Sequence, residues 1–535
     1  MRNKNYYLIH ILFLFSTLYF AHCDYTITIK LRQNGFDEIL SPYFSPWPDE
    51  IYLNGKRTTS ILLYIVDITN HLNNIVELKW YSKISSCANM FKDCRDIAQI
   101  NLTDFDTSNV KNMSHMFSGC SSLSSLILTN MKTSQVTNMD HMFYSCSSLS
   151  SIDLHNFNTA SVTKMNSMFS SCIKLNTIDI SNFETKNVET MAYMFHNTSI
   201  TSFNFIDKDI TKLKSMSHMF YSCSKLESIT IKNLTGAKFT DIDCMFLHCS
   251  LLKSFDFSNF DTSHVINITS MFYGCKAINS IDLTEFKTDN IKTMDKMFAY
   301  SGLDSTMLIN NKHFPNLSSM SYMFQNCINL TSIDFQNFSA PILQDMKGLF
   351  QNCYKLNEIN LINYNAPNVQ NINNMFMNCQ SLSSFNLSNF QTSNVKNMQG
   401  LFYNCSKLQF LNIDNFDTRN TQNMKELFYN CKELSSLNLK NFETYNVTDM
   451  SYMFYNCSKL SNLDIEGFIT TYVTNMEFMF SNCVSLEYLN LNNFKTNNVQ
   501  KMGNMFSGCS SLLFVNISNF DLSNVDNMQN MFYNC

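Results

Sequence analysis

The chain has 535 residues, 45% of them apolar and 15% charged, with a net charge of -5. That length suits several ordinary domains or one long array, with apolar side chains enough for a core. The near-neutral balance with no basic run excludes a nucleic-acid partner, and only 11 Gly and 6 Pro exclude a linker-rich or disordered chain.

Residues 1–23, MRNKNYYLIHILFLFSTLYFAHC, open with Arg2 and Lys4 and continue in a mostly apolar run. Ala21 and Cys23 stand where a signal peptidase prefers small residues, which predicts a secretory signal cut before Asp24. His22 in front of Cys23 argues against a bacterial lipoprotein. The next apolar run, ILLYIVDI at 61–68, is too short to span a bilayer. Any membrane attachment would need an anchor outside these residues or a partner.

Residues 24–86 alternate in DYTITIKL, turn in YFSPWPDE and alternate again in IVELKWY, and they hold both tryptophans, Trp47 and Trp80. This predicts a small β-rich domain that caps the rest of the chain, since a stacked array needs a cover at its end. A separate ligand module is the alternative.

From Cys87 to the end one unit recurs. Phe is followed three residues later by Cys, from Cys94, Cys120 and Cys146 through to Cys535, at a step of 26. Thr198 and Ser301 replace Cys in two of the eighteen boxes, and one interval is 25. A fixed period of this size means a solenoid or similar array, here of about 17 coils. In the unit Leu434–Lys459, LSSLNLKNFETYNVTDMSYMFYNCSK, Leu437 and Leu439 flank Asn438 with the period of a strand. Val447, Met450, Met453, Phe454 and Cys457 then fall at spacings of three and four, which predicts about two turns of helix. Asp449 and its equivalents, with Lys164 and Lys501 as exceptions, are N-cap residues for that helix. Stacking would join the strands into one parallel sheet.

The L-x-x-L-x-L run with its return segment resembles leucine-rich repeats. In the form SLSSFNLSNFQTSNVKNMQGLFYNC (381–405) and its siblings, the chain resembles BspA-type leucine-rich-repeat surface proteins over about 450 residues. The resemblance implies an α/β leucine-rich-repeat-like solenoid with a parallel β-sheet and short helices. It also implies a secreted or cell-surface microbial protein that adheres to or binds an extracellular protein or glycan. It brings no catalytic residue.

The repeated cysteine suits a column of buried free thiols. Parallel, in-register side chains about 4.8 Å apart fit disulfide geometry badly, and Thr198 and Ser301 interrupt any pairing. Cys87 takes a core position. Cys244 falls in a half-exposed column with His115, His141 and His218 and is the best candidate for a reactive thiol. Those three histidines are not near carboxylates at ligand spacing in sequence, so no metal site is expected. The 33 methionines lie almost entirely in the M-x-x-M-F frame, which is core rather than a copper site.

The column between the two strand apolar residues reads mostly Asn or Asp. Asp153, Asp179, Asp256, Asp282 and Asp334 belong to it, then Asn360, Asn412, Asn438, Asp464 and Asn490. It is either a solvated ladder with amides bonded along the stack or a binding face, which the resemblance places on the concave side. Calcium is disfavoured, because the Gly-rich turns of calcium-binding β-helices are missing. Sequons at Asn101, Asn197, Asn233, Asn316, Asn386, Asn446 and Asn516 are candidate N-glycosylation sites if the protein is secreted by a eukaryote. The chain stops in mid-unit at Cys535, which suggests a fragment. No nucleophile–base pair, phosphate loop or cofactor motif stands out, so a non-catalytic binder is expected, with a self-associating coat component as the alternative.

Overall fold

The structure is a computed structural model. It describes residues 25–32, 35–58, 65–68, 74–304 and 307–535. The expected signal at 1–23 and the first half of the apolar run, 61–64, lie outside the described residues. The chain forms two compact units, one up to Leu213 and one from Lys214.

In the first unit, β1 (Tyr25–Leu31), β2 (Gly35–Glu38), β3 (Glu50–Leu53), β4 (Lys56–Arg57), β5 (Ile65–Ile68) and β6 (Asn74–Trp80) precede the repeats. β7 (Ile97–Asn101), β8 (Ser125–Ile127) and β9 (Ser202–Ile206) belong to coils. β1 runs antiparallel to β6 on one side and to β7 on the other, and β7 pairs parallel with β8. The alternating side chains of β1 and β6 bury Ile27, Ile29, Val76 and Leu78. Trp80 packs edge-on against Phe44 and Phe105, centroids 6.3 and 5.4 Å away, and its indole N–H donates to the Pro46 carbonyl at 3.0 Å. An antiparallel β segment thus extends the sheet of the first coil.

The second unit holds β10 (Ser228–Lys232), β11 (Met307–Leu308), β12 (Ser332–Asp334), β13 (Glu358–Asn360) and β14 (Ser384–Asn386). β15 (Phe410–Asn412), β16 (Ser436–Asn438), β17 (Asn462–Asp464), β18 (Tyr488–Asn490) and β19 (Phe514–Asn516) come after these. Neighbouring strands pair in parallel at a register of 26, as in Leu437 opposite Leu463. The architecture is a parallel β-solenoid. Its sheet is not continuous: pairs such as β14–β15 and β16–β17 form separate sheets, and residues 254–257 and 280–283 carry no regular strand.

The expected helices do not form; no helix occurs among the described residues. The M-x-x-M-F-x-x-C segment is a row of tight turns. Met116 N–H returns to Met113 O, Ser118 to His115 and Cys120 to Phe117, at 3.1–3.2 Å. The alternate donors cross to the next coil: His115 to Asp140 O, Phe117 to Met142 O and Gly119 to Tyr144 O, at 2.7–2.9 Å. His115 and Gly119 have φ of 56° and 79°, which no helix allows, and the pattern repeats in later coils at Tyr452 and Asn456. The physical reason is donor accounting. An isolated two-turn helix leaves its first four N–H groups unpaired, and here they would be buried. The turn row gives alternate donors to the neighbouring coil and leaves Met113, Met116, Phe117 and Cys120 all 0% exposed. The residues read as N-caps keep their chemistry: Asp449 Oδ1 accepts the Ser451 N–H at 2.8 Å, but it starts a turn.

Side-chain columns bind coil to coil. In the second unit Phe402, Phe428, Phe454 and Phe480 stack with centroids 5.5–5.7 Å apart. The buried Thr444 hydroxyl accepts the Ile469 N–H at 2.8 Å and donates to the Ile469 carbonyl at 2.9 Å. Thr107 does the same with Lys132, at 2.7 and 2.9 Å, in the first unit.

Candidate functional site

The repeated cysteines are free and, apart from exposed Cys535, buried. Most of the thiols point at a carbonyl of the preceding coil: Cys431 Sγ lies 3.2 Å from Phe402 O, and Cys120 Sγ 3.0 Å from Phe91 O, whereas Cys94 Sγ faces Lys92 O of its own segment at 3.9 Å. Burial pushes the Cys431 and Cys120 thiols far up, which suits protonated packing thiols with a weak donor.

The strand column is in register from coil to coil, as Asn438 stands opposite Asp464. Asp153, Asp179, Asp256, Asp282, Asn412, Asn438 and Asn490 are exposed, and Asp334, Asn360 and Asp464 are half-buried. Asp334 Oδ2 accepts the Asn310 Nδ2–H of the preceding coil at 3.1 Å, but the column's main acceptor bonds are local. Asp179 Oδ1 accepts the Ser181 N–H at 2.8 Å, and Asp153, Asp256, Asp282 and Asp334 accept in the same way from two residues ahead. Asn360, Asn412, Asn438, Asp464 and Asn490 do so at 3.1–3.2 Å. The column is a row of Asx turns that ends each strand, which explains why Asp and Asn interchange: only the acceptor oxygen is used. The Ser181 N–H holds the Asp179 carboxyl below the usual carboxylate range, the Thr284 hydroxyl and then its N–H do so for Asp282, and His155 does so for Asp153.

The amide ladder expected there lies in another column. Asn352, Asn378, Asn404 and Asn456, in the left-handed position before Cys, each donate Nδ2–H to the Oδ1 of the Asn one coil earlier, at 2.6–3.1 Å. Beside the Asx column the strand face shows aromatic side chains: Phe410, Tyr488 and Phe514 are 65%, 64% and 57% exposed. Tyr488 and Phe514 are register partners. They sit one residue before the apolar strand position, where neighbouring coils have Ser384 and Ser436. That break in the Ser pattern was the sequence signal for them.

Among the sequons, Asn197, Asn233, Asn316, Asn386 and Asn446 are exposed, and Asn101 and Asn516 are half-buried. Asn316 and Asn446 each spend an amide hydrogen on the preceding coil, bonding Asp289 O and Arg419 O at 2.7 Å.

The half-exposed column occupies the left-handed turn position. His115 and His141 stack there with centroids 4.6 Å apart. In the second unit, His218 and Cys244 occupy the same position in adjacent coils, at φ 57° and 52°. Asp243, next to Cys244, brings its Oδ1 to 3.6 Å from His218 Nδ1. One ligand-type atom from each of His218, Asp243 and Cys244 lies within 4.8 Å of the other two. Burial, with Asp241 close by, lifts the Asp243 carboxyl to about 6, and burial lifts the Cys244 thiol to about 12. Sequence reading missed this group, because its members are 25 and 26 residues apart and meet only through coil stacking.

The recurrence of these coils has a match. A family model described as "Mycoplasma protein of unknown function, DUF285" covers residues 67–151, 85–208, 125–233, 214–331, 318–437 and 422–535. The chain belongs to this family. The solved structures similar to this DUF285 protein include the Toll–Spätzle complex of Drosophila, at 13% identity over 78% of this chain and 53% of that one, TM-score 0.23. Two others are the TLR13–ssRNA13 complex (13% identity, 82% and 80%, TM-score 0.19) and the InlJ functional domain of Listeria monocytogenes, which includes a cysteine ladder (14%, 67% and 70%, TM-score 0.17). The chain thus spans about half the length of the Toll structure. No curated protein matches it. Among the described residues of this DUF285 protein, no helix is long and apolar enough to cross a membrane.

Proposed function

We propose that this DUF285 protein is a non-catalytic, secreted or surface-displayed binder of the BspA-type subgroup, which engages an extracellular protein or glycan through its strand face. The observation that carries the reading is the exposed row of Asx oxygens flanked by Phe410, Tyr488 and Phe514. Flat aromatic faces beside hydrogen-bonding groups suit sugar rings and protein loops alike, and large exposed apolar side chains mark interaction surfaces. The core columns are committed to packing and coil-to-coil hydrogen bonds, which leaves the outer columns for recognition.

The test is binding of the purified chain to arrays of immobilised glycans and extracellular-matrix proteins, with F410S and Y488S alongside. Ser occupies the same column at Ser384 and Ser436, so both variants suit the coil. Binding that falls in the variants while circular dichroism is unchanged supports the reading. Binding that is indifferent to both substitutions places recognition elsewhere. No binding together with particle mass rising with concentration favours the coat component.

A further inference from the structure

We infer that His218, Asp243 and Cys244 form a binding site for a borderline divalent transition metal of the Zn(II) class, which clips two adjacent coils together. The donor set is a nitrogen, a carboxylate oxygen and a sulfur, the combination such ions take. His218 Nδ1 and Asp243 Oδ1 are 3.6 Å apart. That is too long for a hydrogen bond. It is close to the edge of a tetrahedron with metal–ligand bonds of about 2.0–2.1 Å, roughly 3.3–3.4 Å. Cys244 Sγ falls within 4.8 Å of both partners, so a small side-chain adjustment closes the triangle and leaves a fourth position open to water or a ligand. The buried Asp243 Oδ1 accepts no hydrogen bond among the described residues.

The backbone preorganises the site. His218 N–H bonds Asp243 O at 2.9 Å and Cys244 N–H bonds Thr269 O at 2.8 Å, which fixes the two left-handed residues one above the other. The same column in the first unit shows that the arrangement is not generic. There Asp140 follows the same topology beside His115 and His141, but its Oδ1 accepts the Asn166 N–H at 2.7 Å and the two rings stack.

The experiment uses the full chain, stripped with chelator and titrated with Co(II), whose thiolate complexes absorb in the near ultraviolet. One equivalent should produce the thiolate band, and Zn(II) should displace it. Cys244→Ser should abolish the band, and His218→Tyr should weaken Co(II) binding by more than roughly tenfold, since even outer-shell losses cost about 10–100-fold. Both substitutions install residues that this column already holds at positive φ, Ser270 and Tyr322. If either variant fails to fold, Asp243→Asn carries the test: a loss of affinity supports the site and an unchanged affinity overturns it. Absence of the band, or a band that survives Cys244→Ser, also overturns it.

Discussion

Gly400 distinguishes the turn row from the helix that its sequence spacing predicts. It occupies the third position of M-Q-G-L-F at φ 58°, buried, with its N–H on Lys425 O at 2.9 Å and its carbonyl accepting Tyr403 N–H at 3.0 Å. In a helix, Gly400→Ala would stabilise by about 1 kcal/mol. In the left-handed turn, Ala loses about 1–2 kcal/mol. Its Cβ would also come within 2.3 Å of Asn374 Oδ1, a side-chain end that can move aside. The two conformations therefore predict opposite signs, separated by about 2–3 kcal/mol. The assay is hydrogen–deuterium exchange by mass spectrometry, because a long array need not unfold in one step. Peptides spanning residues 395–405 should exchange roughly 5–30-fold faster in the variant, while coils near residue 300 stay unchanged. Slower or equal exchange at 395–405 would refute the turn assignment.

Phe454→Ala removes one ring from a 0% exposed stack and should destabilise its coil by about 3–5 kcal/mol, seen as locally accelerated exchange; an effect below about 1 kcal/mol would show that the stack collapses to fill the gap. Asp464→Asn should be close to neutral, because the Asx turn uses only the Oδ1 that accepts Glu466 N–H, whereas Asp464→Ala should lose about 0.5–1.5 kcal/mol on the same assay. Burial lowers the pKa of both His115 and His141. The neighbouring His141 lowers His115 further, whereas Asp140 opposes the shift of His141. A depressed histidine pKa means that the unfolded chain binds protons more readily, so stability is complete above the unfolded value near 6.5 and falls as pH drops below it. Thermal melts between about pH 8 and 5 should show this loss in the first unit, and H115N/H141N should flatten it. A thiol reagent should label exposed Cys535 before any other described cysteine, with half-exposed Cys244 slower and the 0% exposed Cys431 and Cys457 protected until denaturation; early labelling of Cys431 would contradict the packed column.

The repeat period, the parallel stacking and the identity of the core columns were legible in the linear sequence. A step of 26 puts chemically equivalent residues in register, and the Phe column with its nearly unbroken Met and Cys neighbours has no alternative to burial. The helical spacing misled, because a face built at i, i+3, i+4 and i+7 is also produced by two successive tight turns. A signal for the turns was present: the residue before Cys is Asp93, Gly119, Ser145, Asn326 or Asn352 in different coils, and Gly and Asn tolerate positive φ best. The strand column was legible as polar and in register, but not as Asx turns. Asp and Asn can bond the next coil or their own backbone, and only the three-dimensional path of the chain selects one.

By itself, the sequence determined that this protein is an array, which side chains form its interior and that the thiols repeated at a step of 26 belong to its packing. These properties rest on periodicity and hydrophobicity, which belong to single positions. Tertiary structure decided what depends on pairs of positions. Coil-to-coil hydrogen bonds outcompeted helix formation because they satisfy buried N–H groups that a two-turn helix would strand. The same stacking carried His218 to Asp243 and Cys244 across 25 and 26 residues of chain, a proximity that no linear spacing encodes.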